Sequence, residues 1–422
     1  MKRLAMIVLA LVLAACGGEQ PSNFKDPTDR LEVVSWWVSS SEHPAFEVLL
    51  NAFRAQHPKV NVIDGAIAGG AGSNVQVALA VRLQAGDPPD VWQTFLGSSL
   101  RAWVDAGRIE DATAVYERAN LGPTMPPTLL NAATYQDKQW GVPTGAHRGN
   151  NLWFNQNVLR DAGIAPPGPG YSWETFTNDL EKVAATGRTP LCLGAKDRFT
   201  STELFENTLL AVVGSDGWAE ITDDSFDWMG ANVKEALSRF GQVVSRADSK
   251  AGALTWDQAV KKLATGGCAF LSMNDSVYGD LIADGAAEGK DFGYVAYPGT
   301  EGVYLAIVDT FVASSAAKDG VNAIKFLEVI ADPKTQLDFN KVKGSVPIRN
   351  DVDASSLPPY QRQASAALWH DKILLSITHG EMMPSNFQQA FYDGVAAFVQ
   401  SKDSGAFINT LQNSIRVPVL GR

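Results

Sequence analysis

The sequence predicts an α/β protein with more than one domain, and three observations lead to this prediction. The chain has 422 residues, enough for two or three domains of ordinary size. Apolar residues make up 45% of it and charged residues 19%, which suits packed cores and argues against long disorder. β-rich and helical patterns alternate along the first hundred residues, an order typical of mostly parallel sheets covered by helices.

Three predicted strands and two helices fill this first part of the chain. Residues 31–38 and 60–63 are β-rich, and the apolar positions of residues 43–57 between them repeat at helical spacing. A third β-rich run follows at 91–95, after a proline-containing break at 87–90. The predicted order is therefore strand, helix, strand, helix, strand.

The second of these helices follows a glycine-rich turn at residues 69–72. Ser73 is expected to cap it, because a serine hydroxyl can accept from the free N–H groups of a first helical turn. The apolar face is expected to contain Val77, Val81 and Leu83.

The pattern changes beyond residue 140. The chain runs irregularly through residues 141–150 and resumes as a β-rich run at 151–155, so a crossing to a second lobe is predicted here. Ser172 is expected to cap a helix that ends near Thr186. Further elements are predicted as strands near 190–193, 269–273, 292–296 and 304–312, and as a helix at 320–332. This interleaving suits two lobes joined by more than one crossing.

The amino terminus has the pattern of an export signal. Two basic residues precede an apolar stretch at 4–15, which is shorter than the roughly 20 residues that span a bilayer. Leu-Ala-Ala then leads into Cys16. We predict a lipoprotein signal peptide over residues 1–15 and lipidation of Cys16; the alternative is a secretory signal with an incidental cysteine. The polar residues 16–30 predict a flexible tether.

Such a protein acts in the periplasm or at the cell surface, held to the membrane by its lipid. Disulfides form in this compartment. Cys192 and Cys268 are the two further cysteines, each in a short apolar run. The sequence leaves open whether they are bridged or are two buried thiols.

Composition and motifs exclude several function classes. Acidic residues outnumber basic ones by 46 to 35, and no basic run occurs, which disfavours nucleic acids and anionic membranes as partners. Three Cys and five His leave little room for a Cys/His metal cage, so neither a metal nor a cofactor is expected. The sequence signatures of serine hydrolases, zinc proteases and phosphate-binding loops are absent. The protein is therefore predicted not to be an enzyme.

A few residues occupy positions that suit a ligand. Trp36 and Trp37 follow the first strand, at the edge where α/β folds open their clefts. Successive strand residues face opposite ways, so one Trp can pack the core while the other lines a cleft; core packing of both is equally consistent. Gln93 ends the third strand, Lys343 ends a helix and His379 follows one, although each also suits an ordinary structural role.

Short segments spread along the chain carry a family resemblance. They are Ser35-Trp36-Trp37, Gly69-Gly70-Ala71-Gly72, Gly86-Asp87-Pro88-Pro89-Asp90, His147-Arg148-Gly149-Asn150, Asp309-Thr310-Phe311, Lys343-Gly344-Ser345 and His379-Gly380. In order and spacing they resemble the sugar-binding subset of the extracellular solute-binding proteins of ABC transporters, and most of all bacterial glucose-binding proteins, over about residues 31–420. The resemblance implies a two-lobed periplasmic-binding-protein fold with hinge-linked, discontinuous domains and two or three crossing strands. The implied N-terminal lobe comprises 31–144 and 302–343, and the C-terminal lobe 145–301 and 344–422.

The resemblance also implies a set of ligand contacts. The side chains that would touch the sugar are Trp36, Trp37, Glu42, Gln93, Asp309, Lys343 and His379. His147 and Asn151 lie at the implied crossing and are further candidates for contact with the sugar, with ordering of the hinge as their alternative role; Asp275 is a further candidate in the second lobe.

The chain departs from the family pattern in two places. Phe95 stands where a His is expected after Gln93. In the second lobe, Asp275 is followed by Ser276 where the pattern has a Trp that stacks on the sugar. Tyr278 is the candidate to replace that ring. The alternative is a roomier pocket for a disaccharide or another monosaccharide.

The predicted function is that of a lipid-anchored, monomeric receptor. It would capture a neutral monosaccharide such as glucose between its lobes and deliver it to an ABC permease. A disaccharide or other sugar is one alternative, and a secreted glycoside hydrolase with two carboxylates at one glycosidic bond is another. A binding protein for amino acids, peptides or polyamines is disfavoured, because the contact set has no Arg and, as acids, only Glu42 and Asp309.

Overall fold

The computed structural model describes residues 29–222 and 225–415. The predicted signal peptide, Cys16 and all but the last two residues of the predicted tether lie outside these residues. The strands are β1 (Arg30–Val34), β2 (Asn61–Asp64), β3 (Val91–Phe95), β4 (Thr134–Tyr135), β5 (Lys138–Gln139), β6 (Val142–Pro143), β7 (His147–Arg148), β8 (Asn151–Asn155), β9 (Thr189–Leu191), β10 (Cys268–Ser272), β11 (Phe292–Ala296), β12 (Val303–Ile307), β13 (Asp309–Ala313) and β14 (Lys372–Leu375).

The helices lie between and around these strands. They are α1 (Glu42–Gln56), α2 (Ser73–Gln84), α3 (Ser98–Asp105), α4 (Thr113–Arg118), α5 (Pro127–Ala133), α6 (Gln156–Asp161), α7 (Trp173–Ala185), α8 (Arg198–Thr222), α9 (Ala231–Val244), α10 (Trp256–Ala264), α11 (Ser276–Ala283), α12 (Gly320–Ala331), α13 (Pro333–Lys343), α14 (Pro359–His370), α15 (Ser385–Ser401) and α16 (Ser404–Ile415). The long α8 is kinked at Gly214, whose φ is +64°.

The first lobe is built on a five-stranded sheet in the order β2-β1-β3-β13-β6. Its first three strands are parallel, while β13 is antiparallel to both neighbours. All five residues of β3 are buried, as expected of a strand covered by helices on both faces. The predicted strand and helix order of this region is therefore confirmed.

The second lobe is built on a four-stranded sheet in the order β11-β8-β10-β9. Both neighbours of β8 run antiparallel to it. Phe205, Phe240, Phe391 and Phe407 of the surrounding helices α8, α9, α15 and α16 pack together in the core of this lobe. This helical half contrasts with the strand-rich first lobe.

A third sheet connects the two lobes. The predicted strand at 304–312 is in fact two strands, β12 and β13, separated by Val308. β12 pairs with β7 and β14, whereas β13 pairs with β3 of the first lobe. The backbone groups of Val308 leave the ladder to pair elsewhere, its N–H donating to Glu381 Oε1 (2.9 Å) and its C=O accepting from Leu96 N (3.3 Å). One run of β-rich sequence therefore serves two sheets.

Helix α2 differs from its prediction. Ser73 is its first residue and Gly72, with φ +75°, is the N-cap, so the serine hydroxyl does not cap it. Val77 and Val81 are 67% and 62% exposed. The buried stripe contains Val75 and Leu79, about 200° around the helix from these two exposed valines. Leu83 continues this stripe and packs against the core, so it alone of the predicted face is confirmed.

Two other local features bear on the predictions. Ser172 accepts from Thr175 N at the start of α7, which confirms the predicted cap. Cys192 and Cys268 form a disulfide with Cα atoms 5.6 Å apart. It links the residue after β9 to the first residue of the adjacent strand β10. Within 29–222 and 225–415, no helix combines the length and apolar character needed to cross a membrane.

Candidate functional site

A narrow cleft lies between the two lobes, beside the connecting sheet. Its lining consists of Trp36, Val38, Glu42, Gly69, Gly70, Ala71, Phe95, His147, Phe199, Trp256, Met273, Asn274, Ser276, Ile307, Asp309, Lys343 and His379. The space between these atoms is about 500 Å³ including the open mouth, but the centres of water-sized molecules can occupy only about 50 Å³. At about 10–15 Å³ for each water, this conformation holds only a few water molecules. The cleft is therefore nearly closed.

The two consecutive tryptophans face opposite ways after β1. Trp36 lines the cleft with its ring 5.0 Å from that of Phe95. Trp37 is fully buried and packs 5.5 Å from Phe311 and 5.1 Å from Phe339. Alternation of side chains along an extended backbone produces this division. The predicted ligand contact of Trp37 therefore has no support, because its ring lies in the core behind the cleft.

Gln93 lies behind the cleft surface and holds residues that line it. Its Oε1 accepts from Ser35 Oγ (2.6 Å) and Trp36 N (3.3 Å), and its Nε2 donates to Asp309 Oδ1 (2.8 Å). Both ends of the amide are thus used within the protein. The sequence predicted a direct sugar contact, whereas the structure places Gln93 as a support for Trp36 and Asp309.

Lys343 brings the two walls of the cleft together. It is the last residue of α13, where the helix dipole favours a cation, and Gly344 follows as the left-handed C-cap with φ +96°. The Nζ atom of Lys343 donates to Glu42 Oε1 (3.1 Å) and to Ser276 Oγ (2.9 Å). It also lies 5.5 Å from the centre of the Trp37 ring, close enough for a cation–π contact.

A chain of hydrogen bonds crosses the floor of the cleft. His147 contacts Asp275 Oδ1 through Nδ1 and Asp309 Oδ2 through Nε2, the latter at 3.2 Å. Burial and the charge of Lys343 lower the pKa of His147, but the two carboxylates outweigh them and raise it overall. Burial raises the pKa of Asp309, but His147, Lys343 and Gln93 together lower it below its usual value.

Two further groups have shifted pKa values. Burial raises the pKa of Glu42, an effect that the charge of Lys343 only partly offsets. Burial lowers the pKa of His379 to about 3, so its imidazole is neutral and offers one donor and one acceptor. The His379 ring lies edge-on to Phe95 at 5.3 Å and to Phe199 at 5.8 Å.

Besides Trp37 and Gln93, three further predicted contacts lie outside the cleft lining: Asp275, Asn151 and Tyr278. Asp275 is fully buried behind His147, where its Oδ2 accepts from Arg148 N (3.1 Å) and from the Tyr360 hydroxyl (3.0 Å). Asn151 donates to Arg148 O (2.8 Å) and to the same hydroxyl (2.9 Å), and it lines a separate groove. Asp275 and Asn151 thus order the crossing segment around β7 rather than contact the ligand.

Tyr278 does not replace the missing stacking ring. Its ring stacks on Tyr360 with centroids 4.9 Å apart, and its hydroxyl donates to Glu288 Oε2 (3.1 Å). Tyr278 and Ser276 are two residues apart on α11, so their side chains diverge by about 200° around the helix. With Ser276 at the cleft, Tyr278 must face away from it.

Trp256 and Phe199 are cleft residues that the sequence did not reveal. Each lies in the first turn of a helix, α10 or α8 respectively. Asp197 Oδ2 accepts from Trp256 N (2.8 Å) and so fixes the start of α10 beside the start of α8. Helical periodicity shows which face is buried but not which turn meets a cleft. Only the excess of aromatic residues in the composition pointed to further rings.

Asn274, another residue that was not predicted, also lines the cleft. Its Nδ2 donates to Glu203 Oε2 (3.1 Å), and its Oδ1 accepts from Ser276 N (3.0 Å). These bonds fix the turn that presents Ser276 to Lys343. Its neighbour Met273 adds an apolar surface to the same wall.

The only group of metal-ligand residues found in the described residues lies outside this lining. His43, Glu47 and Asp64 bring ligand atoms within 4.8 Å of one another. However, His43 is already paired with Asp64 at 2.8 Å and Glu47 with Arg54 at 2.8 Å, on the protein surface.

Comparison with known proteins identifies the family. The family model of bacterial extracellular solute-binding proteins matches residues 49–367. This chain belongs to that family. An ABC transporter extracellular-binding protein of Pyrococcus horikoshii is 27% identical over 98% of this chain and 95% of its own. A probable sugar-binding periplasmic protein of Brucella melitensis is 28% identical over 92% of each chain.

Solved structures agree with the fold of this solute-binding protein. The bacterial solute receptor AcbH, whose reported preference is for β-D-galactopyranose, superposes with a TM-score of 0.79 over 91% of this chain and 97% of its own, at 17% identity. The two-lobed fold predicted from the resemblance is therefore confirmed. The family and these relatives are binding proteins rather than enzymes.

Proposed function

We propose that this solute-binding protein is the sugar receptor of an ABC importer, and that its ligand is a neutral monosaccharide such as glucose. The observation that carries the proposal is the convergence of paired polar groups and two indole rings on one cleft between the lobes. The Brucella relative is named as a sugar-binding protein, which supports the same ligand class.

The charges in the cleft favour an uncharged ligand. Lys343 is paired with Glu42, and His147 lies between Asp275 and Asp309. An anionic ligand would add a charge that none of these groups is free to match in a desolvated site, at a cost of several kcal/mol. A neutral hydroxyl can donate to a carboxylate or accept from an ammonium without separating these pairs. Such charge-assisted hydrogen bonds are stronger than those between two neutral groups.

The aromatic residues suit a pyranose ring. Trp36 belongs to the first lobe and Trp256 to the second, so the two indoles can cover C–H faces of one sugar from opposite sides. Such contacts exclude water and strengthen the polar bonds around them. Trp256 thereby supplies, from a different helix, the second-lobe ring that is missing at Ser276.

The size of the cleft favours one sugar ring. The lobes leave little free space in this conformation, so ligand entry requires them to separate, as in hinged clamps of this type. A disaccharide is the second candidate. A wider groove shares Gly70, Ala71 and Phe199 with the cleft. The centres of water-sized molecules can occupy about 550 Å³ of this groove, against about 50 Å³ of the cleft, and a second ring could extend into it.

Two further parts of the proposal concern location and partners. Lipidation of Cys16 would anchor a monomeric receptor to the membrane, in the periplasm or at the cell surface, and the sugar-bound form would dock on the permease. Replacement of Cys16 by Ala is expected to release the protein from the membrane fraction of cells that express it. Retention of the variant in that fraction would contradict the lipid anchor.

The ligand is tested by a thermal-shift screen followed by calorimetry. The panel contains glucose, galactose, mannose, xylose, arabinose and maltose, with arginine and spermidine as charged controls. A ligand that binds only the folded state raises the Tm, and we expect this for one or more neutral monosaccharides. A shift with a charged control alone would contradict the proposal. Release of phenol from aryl glycosides would favour the hydrolase.

A further inference from the structure

The first lobe and the second lobe are joined by a buried carboxylate that does not line the cleft. Asp280 lies on α11 of the second lobe and is 1% exposed. Its Oδ1 accepts three hydrogen bonds from residues of the first lobe: from Ser39 Oγ (2.9 Å), Ser41 N (2.9 Å) and Ser41 Oγ (2.6 Å). Three donors on one carboxylate oxygen form a strong contact between the lobes.

The geometry of Ser41 shows that this contact replaces a local one. Ser41 is the N-cap residue of α1, yet its side chain makes no capping bond within its own helix. Serine is among the residues that usually cap a helix, where it satisfies one of the free N–H groups. Here the hydroxyl points across to Asp280, whose negative charge also lies at the positive end of α1. The cap of this first-lobe helix is thus partly supplied by the second lobe.

Glycines allow the close approach of the two lobes at this contact. A Cβ on Gly279 would lie 2.7 Å from Ser41 Oγ and 2.4 Å from Lys343 O, and one on Gly344 would lie 2.6 Å from Asp275 O. Real Cβ atoms do not approach other atoms so closely. Residues 279 and 344 therefore have no room for a side chain while the lobes are in this position.

The contact lies next to the groups that would bind the sugar. Ser41 precedes Glu42, Gly344 follows Lys343, and Asp280 lies one helical turn beyond Ser276 on the same face of α11. Any shift of Asp280 against Ser41 would therefore move Ser276 away from Lys343, which now donates to it at 2.9 Å.

We infer that Asp280 is a positioning residue for ligand capture: it latches the lobes in the closed state through Ser39 and Ser41, and it sets affinity without contacting the sugar. This inference rests on the proposed sugar-receptor function. It predicts that the latch forms as the lobes close and breaks as they open. Its loss should therefore favour the open state and shorten the time for which the ligand stays bound.

The first experiment needs no ligand. Small-angle X-ray scattering of the sugar-free protein compares wild type with Asp280→Ala, and Asp284→Asn serves as the control because Asp284 is an exposed acid one turn further along α11. We expect Asp280→Ala to increase the radius of gyration and the control to leave it unchanged. An unchanged radius of gyration for Asp280→Ala would overturn the latch.

The second experiment uses D-glucose and D-galactose as probes in stopped-flow fluorescence of the cleft tryptophans. Asp280→Ala is expected to raise the dissociation rate about tenfold, because the variant loses a hydrogen bond to a charged group. The association rate should change little. Asp280→Asn, which keeps an acceptor, should recover part of the loss. Ser41→Ala combined with Asp280→Ala should cost less than the two single effects added, because the residues share one contact.

A static role for Asp280 would give a different result. If Asp280 only supports the fold, Asp280→Ala should lower the Tm of the sugar-free protein and leave the dissociation rate unchanged, and this result would overturn the inference. If neither sugar binds the wild type, the ligand proposal fails for these two sugars, while the scattering experiment still decides the role of Asp280. The two failures are therefore distinguishable.

Discussion

The two walls of the cleft are built from different chemistry. The first-lobe wall carries most of the ionisable groups, and each is held by a second layer: Gln93 holds Asp309, and Trp37 lies beside Lys343. The second-lobe wall is largely apolar, with Trp256, Phe199 and Met273, and has small polar groups between these side chains. The difference indicates that the first wall recognises hydroxyl groups, and that the second covers the ligand when the lobes close.

The largest expected effect is a loss of stability when Trp37, which lies behind the first wall, is replaced. Trp37→Ala should remove a fully buried ring from the Phe311 and Phe339 cluster and lower the free energy of unfolding by about 3–5 kcal/mol. Urea unfolding measures it. Trp36→Ala, the matched variant at the cleft surface, should cost far less stability. Equal losses would contradict the division between a core ring and a cleft ring.

The second expected effect is a loss of sugar affinity when Asp309, which lines the cleft and is held by Gln93, is replaced. Asp309→Asn should lower sugar affinity by more than tenfold, because the loss of a charge-assisted hydrogen bond from its carboxylate to a sugar hydroxyl costs about 1.5–3 kcal/mol. Calorimetry with the sugar identified by the screen measures this. The variant should keep a wild-type circular dichroism spectrum. Unchanged affinity would mean that Asp309 serves only to hold His147.

The third prediction uses pH to compare Asp309 of the first wall with Glu206, a fully buried acid that lies behind the second wall and accepts from Ser376 Oγ (3.0 Å). Burial raises the pKa of Glu206, on α8 of the second lobe, to about 7. Since this folded-state value exceeds the unfolded value, its favourable contribution is complete at low pH and is lost as pH rises through 7. The pKa of Asp309 is lowered, so its contribution is lost only when pH falls through the acidic range.

Glu206→Gln provides the measurement for this comparison. Its stability relative to wild type should increase between pH 5 and pH 8, by up to about 3 kcal/mol for a shift from 4.5 to about 7. Unfolding is followed in urea at both values of pH. The Asp309→Asn variant should show no such trend over this range. A parallel trend for both variants would show that the two acids do not differ in this way.

The smallest expected effect concerns the covering wall. Trp256→Ala should weaken sugar binding by about 1 kcal/mol, since an aromatic contact adds about 0.5–1.5 kcal/mol beyond the area that it buries. Fluorescence titration measures it, with Val81→Ala as a control, because Val81 is exposed on the first lobe and lines neither the cleft nor the neighbouring groove. A loss as large as that of Asp309→Asn would reverse the assignment of recognition to the first wall.

The same difference explains what the sequence could predict. Trp36 lies near a strand end, where strand periodicity and the general location of α/β clefts predict exposure to a ligand, whereas Asp309 was expected at the site only from the family resemblance. Trp256, Phe199 and Asn274 lie in turns and first helical turns of the second lobe, and their place depends on how helices of that lobe pack against one another. No local pattern contains that information.

Other outcomes have equally local causes. Gln93 was identified by position, but its hydrogen bonds to Ser35 and Asp309 decide that it supports the cleft. The prediction that Tyr278 would face the sugar treated the loop as adjustable, whereas α11 begins at Ser276 and fixes the direction of every later side chain. The valines of α2 repeat at helical spacing on both sides of the helix, and only tertiary packing selects the buried pair.

The sheet change at Val308 has a mechanical consequence. The next residue, Asp309, lines the cleft, and the preceding one, Ile307, lines it too. A ligand bound here would contact residues next to Val308, the residue at which the chain passes from one lobe to the other. The ligand contacts therefore lie very close to the point about which the lobes would rotate. A shift of a fraction of an ångström at the sugar would correspond to a much larger displacement at the far ends of the lobes, where a permease would detect it.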